Sequence, residues 1–141
     1  MIEIRKIESR IELKAFVKFP FQLYRDNPYW VPPIIKEELE MLDKEVNPAF
    51  QNAIAHYFLA YKEGQIVGRI AAFINWIEVK ELKKNKVRFG WFDAVDDLQV
   101  TEKLMEQVIQ IGQQHQMTAV EGPMGFSNMD KAGMLIEGFE E

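Results

Sequence analysis

Residues Ala55 to Trp76 read AHYFLAYKEGQIVGRIAAFINW, two apolar runs around Glu63-Gly64. Each run is rich in aromatic and β-branched residues, and a glycine at the second turn position favours a two-residue type I′ hairpin. Such a turn sets a register: Lys62 opposite Gln65, Ala60 opposite Val67, and Phe58 opposite Arg69. Side chains alternate along a strand, so Ile66, Gly68, Ile70, Ala72 and Ile74 share one face. Val67, Arg69, Ala71 and Phe73 share the other. Both faces are mostly apolar, which fits a central hairpin covered on both sides.

The flanking sequence supplies the covers. Ile2 to Ile7 reads as a first strand, and Glu8-Ser9 caps a helix carrying Ile11, Ala15 and Phe16. Pro20 is expected to end that helix, with a short helical piece over Phe21 to Tyr24 after it. Asp26-Asn27-Pro28 and Asn47-Pro48 are turns; between them Pro33 opens a second helix through Leu39 and Leu42. After the hairpin comes a basic segment from Lys80 to Arg88, then a strand over Val87 to Val95. A helix follows from Asp96-Asp97 to about His115, with Val100, Leu104, Val108 and Ile111 on one stripe. Asp96 and Gln99 have capping-box spacing. Met117 to Val120 is the last strand, and its unit with the preceding strand and helix is expected to be a right-handed parallel crossover. The expected class is α/β: a mixed, mainly antiparallel sheet with a β-α-β crossover and helices on both faces. One domain over 1–141 is expected, with 122–141 glycine-rich.

Composition narrows the chemistry. The chain has 141 residues, 48% of them apolar, enough for a real core. A net charge of -5 argues against a duplex nucleic-acid binder. No cysteine is present, which excludes disulfides, thiolate metal sites and a cysteine nucleophile. His56 and His115 are the two histidines, too few for a histidine-rich metal site. No apolar run reads as a leader or spans a bilayer, so a cytoplasmic location without membrane partners is expected.

The element order β-α-α-β-β-β-α-β resembles the first two thirds of the GNAT superfamily of acyl-CoA N-acyltransferases, and more closely a set of uncharacterised bacterial GNAT-like proteins. The residues that carry the likeness are Phe19-Pro20 to Tyr24, Asn27 through Pro33, Asn47-Pro48, Gly68 through Ala72, Gly122-Pro123, and Gly133 through Phe139. The resemblance implies acyl transfer from acetyl-CoA or another acyl-CoA to a small-molecule amine. It implies that strand four, at Phe92, Asp93, Ala94 and Val95, holds the pantetheine arm through backbone hydrogen bonds. It also implies a general base there, and Asp93 in FGWFDAV has the chemistry for one. The plainer reading of Asp93 is a strand-end carboxylate binding backbone N–H groups. Acyl-CoA enters such a fold where strands four and five splay, near which Ser127, Asn128 and Asp130 would form a substrate loop.

Two departures bear on activity. The superfamily cradles the cofactor pyrophosphate on a glycine loop at a helix N-terminus. Here that position reads Ala94-Val95-Asp96-Asp97-Leu98-Gln99-Val100, with two carboxylates and no glycine. The superfamily fold also needs further strands after strand five, so a truncated, weak or inactive unit is expected. The alternative is a non-catalytic binding or assembly module, paired as a homodimer through the strand-five edge or the C-terminal segment. Elsewhere, Arg69 meets either a ligand anion or an internal carboxylate, Asp93 or Glu78. Lys83, Lys84 and Lys86 read as a solvated loop or as contacts to a 3′-phosphate. Phe16, Phe19, Phe21, Tyr24, Tyr29 and Trp30 read mainly as packing, with a substrate-pocket wall as the other reading.

Overall fold

The computed structural model describes residues 1–123. Strands β1 (Ile2–Lys6), β2 (Ala53–Lys62), β3 (Gln65–Asn75), β4 (Lys86–Ala94) and β5 (Ala119–Glu121) form a five-stranded sheet in that spatial order. The first four are mutually antiparallel neighbours, and β4 and β5 are parallel. Helices α1 (Arg10–Leu23) and α2 (Ile35–Leu42) cover one face, and α4 (Leu98–Gln114) covers the other. The expected α/β class, the parallel crossover and the two-sided cover are all present.

Each face has its own core. Phe16 and Val17 of α1 and Leu42 of α2 pack on Tyr57, Leu59, Ala71 and Phe73. Val100, Leu104, Val108 and Ile111 of α4 pack on Phe58, Ile70, Ile74 and Val87. The helical stripe expected on α4 is therefore its buried face.

The hairpin departs from its expected register. Glu63 and Gly64 have φ of 52° and 79°, as a type I′ turn requires, and Lys62 pairs with Gln65. A bulge then intervenes: Tyr61 pairs with Ile66, but Ala60 pairs with Gly68, leaving Val67 as the extra residue. Leu59, not Phe58, lies opposite Arg69, and Phe58 lies opposite Ile70. A one-residue slip moves side chains to the other face. Ile66 accordingly joins the α1–α2 core and Val67 the α4 core, the reverse of the expected assignment. Gly68 lets α4 approach at this point, since a Cβ there would lie 2.8 Å from Leu104 Cδ1 and 3.0 Å from Val100 Cγ1.

Other boundaries shift for local reasons. Helix α1 runs through Pro20 to Leu23 and does not stop at the proline. Asp97, not Asp96, caps α4, its side chain accepting from the Gln99 N–H at 2.9 Å. A short helix, α3 (Trp76–Lys80), follows β3 unexpectedly; Asn75 caps it by accepting from the Ile77 N–H at 3.0 Å. No helix among the described residues is long and apolar enough to cross a membrane.

Gly68→Val is expected to lower stability by about 1–3 kcal/mol, because β-branched bulk meets α4 with little room to yield. The shift in urea midpoint measures it.

Candidate functional site

Strand β4 is irregular where it faces α1. Arg69 pairs with Asp93, but Ala71 pairs with Gly90, so Trp91 and Phe92 together oppose Ile70. Trp91 takes φ of 47°, uncommon for a bulky residue. The bulge re-aims the side chains: Phe89 and Phe92 pack on the α4 side, whereas Trp91 packs on the α1–α2 side.

Asp93 lies at the centre of a polar cluster on that side. Its Oδ2 receives Arg69 Nε at 2.9 Å and lies 2.8 Å from Arg69 Nη2. Its Oδ1 receives the Tyr24 hydroxyl at 2.6 Å. The third guanidinium nitrogen, Nη1, donates to the Phe16 carbonyl at 2.9 Å. That carbonyl is the one a backbone N–H at position 20 would serve, and Pro20 has none. The guanidinium also lies 5.0 Å from the Phe16 ring centroid. Arg69 thus repairs the break that Pro20 makes in α1, which is why the helix continues past it.

The environment fixes charge states. Burial pushes the Tyr24 phenol far above its usual range, and the hydrogen bond to Asp93 and that carboxylate's charge add to the shift. Tyr24 is therefore a neutral donor. Burial lowers the Arg69 guanidinium, and Asp93 partly restores it. A second carboxylate, Glu38 of α2, is buried nearby, and its charge favours ionised Arg69. Trp91 Nε1 lies 3.3 Å from both Glu38 oxygens. Trp30 closes an aromatic corner, 5.1 Å from Phe21 and 5.5 Å from Tyr24 between ring centroids.

Of the residues singled out in the sequence, Asp93 and Arg69 come together as the internal ion pair. Among the described residues the carboxylate's partners are side chains and not backbone N–H groups. Glu78, the other carboxylate expected for Arg69, instead meets Arg88 at 2.8 Å and Lys86 at 3.2 Å. Lys86 also reaches Glu121 at 2.7 Å, so it is no solvated loop residue; Lys83 and Lys84 are exposed. Ala94 and Val95 continue the β3–β4 ladder, Val95 N–H donating to Val67 O at 2.9 Å. Ser127, Asn128 and Asp130 lie outside the described residues. Sequence reasoning misses Glu38; its signal is a place on the Ile35, Leu39, Leu42 face of an amphipathic helix, where a carboxylate needs a partner. No group of three metal-binding side chains occurs among the described residues.

The β5 pairing reaches only Arg88↔Glu121, after which Gly122 lies so close to the Phe89 carbonyl that a Cβ there would collide with it. Beyond Arg88 no strand among the described residues pairs with this edge of β4. The N-terminus of α4, where the resemblance would seat a pyrophosphate, is closed by its capping side chain. Asp97 occupies the Gln99 N–H and lies 3.5 Å from Lys62 Nζ, and Asp96 is exposed beside it. These groups do not fit a pyrophosphate, because the donor is taken and the added charge is negative.

The architecture is that of GNAT acetyltransferases. A protein from Clostridium acetobutylicum described as a predicted acetyltransferase, solved with acetyl-CoA, superposes with TM-score 0.64 over 89% of this chain and 82% of that one, at 14% identity. A tandem GNAT protein from the clavulanic acid biosynthesis pathway matches with TM-score 0.59 over 88% of this chain and 38% of its own, at 12% identity. No family model matches the sequence. Two curated proteins do: YghO of Escherichia coli K12 is 36% identical over 137 residues, which are 97% of this chain and 35% of YghO. A bacterial ceramide synthase of Caulobacter vibrioides is 29% identical over 140 residues, 99% of this chain and 36% of the synthase. The chain thus spans about a third of the length of each relative.

Arg69→Met is expected to cost about 3 kcal/mol or more, since it leaves Asp93 without its cation and the Phe16 carbonyl without a donor. Denaturant unfolding checks this; a loss below about 1 kcal/mol would show that the pair carries no weight.

Proposed function

We propose that this chain is part of an N-acyltransferase that joins an acyl group to a primary amine. The observation that carries the reading is the meeting, in a GNAT fold, of an open and bulged β4 with a fixed carboxylate and an aromatic corner. The ceramide synthase relative supports an amine acceptor, because a ceramide is an N-acylated long-chain amine.

In this reading Asp93 attracts the acceptor ammonium and takes a proton from the amine nitrogen, directly or through one water. Arg69 and Tyr24 hold the carboxylate still, and each oxygen keeps acceptor capacity beyond these bonds. Phe21, Tyr24 and Trp30 present ring faces to a cation or an alkyl chain. Phe92 and Ala94 belong to the strand whose backbone would hold the pantetheine arm of an acyl-CoA donor, whereas Val95 lies just past it with its N–H already given to Val67 O. The self-capped α4 offers the donor's pyrophosphate no seat, so the 141-residue chain is expected to be slow.

Incubated with a long-chain primary amine and a long-chain acyl-CoA, the chain should form the amide above the uncatalysed rate. Asp93→Asn, checked as folded by circular dichroism, should lower that rate by about 100-fold. Amide formation no faster than background for the unaltered chain, or unchanged by Asp93→Asn, contradicts the proposal or the role of Asp93 respectively.

A further inference from the structure

Outside the Asp93 cluster lies a pocket of about 570 Å³, lined by Lys44, Phe50, Ile54, His56 and His115 among others. One wall is the start of β2. Strand β1 pairs only as far as Lys6↔Phe58, and Ile7 N–H donates to Tyr57 O at 2.8 Å, so residues 53–56 run on past the end of β1. Phe50 and Ile54 make the lining apolar, whereas every ionisable side chain in it is basic: Lys44, His56 and His115. In a chain of net charge -5 this is a local segregation and not a reflection of composition. His56 adds an unmet demand, since its Nδ1 is buried with no hydrogen-bond partner among the described residues. Size, apolar walls and a few converging polar groups are the attributes of a small-molecule site.

We propose that this pocket binds a small monocarboxylate with an aliphatic body, its carboxylate between Lys44 and His56 and its chain against Phe50 and Ile54. The electrostatics agree with the geometry. Burial first, and then the charges of Lys6, Lys44 and His115 on β1, the segment after α2 and the end of α4, together hold the His56 imidazole down at about 4. Burial, then Lys6, also lowers the Lys44 ammonium. A bound anion reverses the mutual repulsion of these cations and favours protonated His56, so binding is coupled to proton uptake.

The test follows the His56 ring signals by NMR while the 141-residue chain is titrated with hexanoate, and separately with 1-hexanol. Saturable shifts with a dissociation constant of about 1 mM are expected for hexanoate, with the alcohol at least about tenfold weaker. The His56 titration midpoint should rise on hexanoate binding, and Lys44→Met should weaken binding by about tenfold. No saturable shift below about 30 mM, equal binding of the alcohol, or shifts mapping away from His56 would overturn the proposal. Should Lys44→Met fail to fold, the comparison of hexanoate with hexanol on the unaltered chain still decides it.

Discussion

The guanidinium of Arg69 is the interaction on which the rest of the structure depends. Pro20 in the interior of α1 leaves the Phe16 carbonyl without its helical donor, and a proline there ordinarily kinks or ends the helix. Arg69 Nη1 supplies the missing hydrogen bond from β3, 2.9 Å away. Its two other nitrogens meet Asp93 on β4, and Asp93 in turn holds the Tyr24 hydroxyl one turn beyond the proline. One buried cation therefore fastens both sides of a broken helix to two adjacent strands. A lone buried guanidinium is costly to desolvate, so the carbonyl and the carboxylate are conditions of its being there. The candidate site exists because this repair holds Tyr24 on Asp93, and Trp30 packs against both Tyr24 and Phe21.

The start of α4 is built differently. A helix N-terminus ordinarily offers free N–H groups to an anion such as phosphate. Here Asp97 fills that role from within the chain, which stabilises α4 and closes the seat at the same time. Fold and phosphate chemistry are thereby uncoupled. The chain has a GNAT-like sheet, a bulged fourth strand and the Asp93 carboxylate held by Arg69 and Tyr24, while the charge arrangement at α4 opposes an anionic ligand. The curated relatives it matches are about three times longer than this chain.

Much of the fold is legible from periodicity. The Glu63-Gly64 turn, the Val100–Leu104–Val108–Ile111 stripe and the alternating first strand depend on local spacing, and each is present. The errors fall where a distant group overrides a local rule. The bulge at Val67 exchanges Ile66 and Val67 between faces, and the close approach of α4 at Gly68 is a tertiary contact that no turn signal encodes. Pro20 reads as a helix end because its rescuer lies far along the chain. Both Asp96 and Asp97 suit a cap, and only backbone geometry chooses Asp97. In the candidate site, the pairing of Arg69 with Asp93 is among the sequence expectations, but the roles of Tyr24 and Glu38 are hidden because their partners lie on other elements.

The central claim is that Arg69 stands in for the N–H that Pro20 lacks, and a double-mutant cycle tests it most directly. Pro20→Ala restores that N–H, and its effect on unfolding free energy is measured alone and in an Arg69→Lys background, where the lysine keeps the charge but loses the bond to Phe16. The account predicts that the alanine stabilises more in the lysine background, by about 1 kcal/mol or more. Equal effects in the two backgrounds, within about 0.5 kcal/mol, would contradict it.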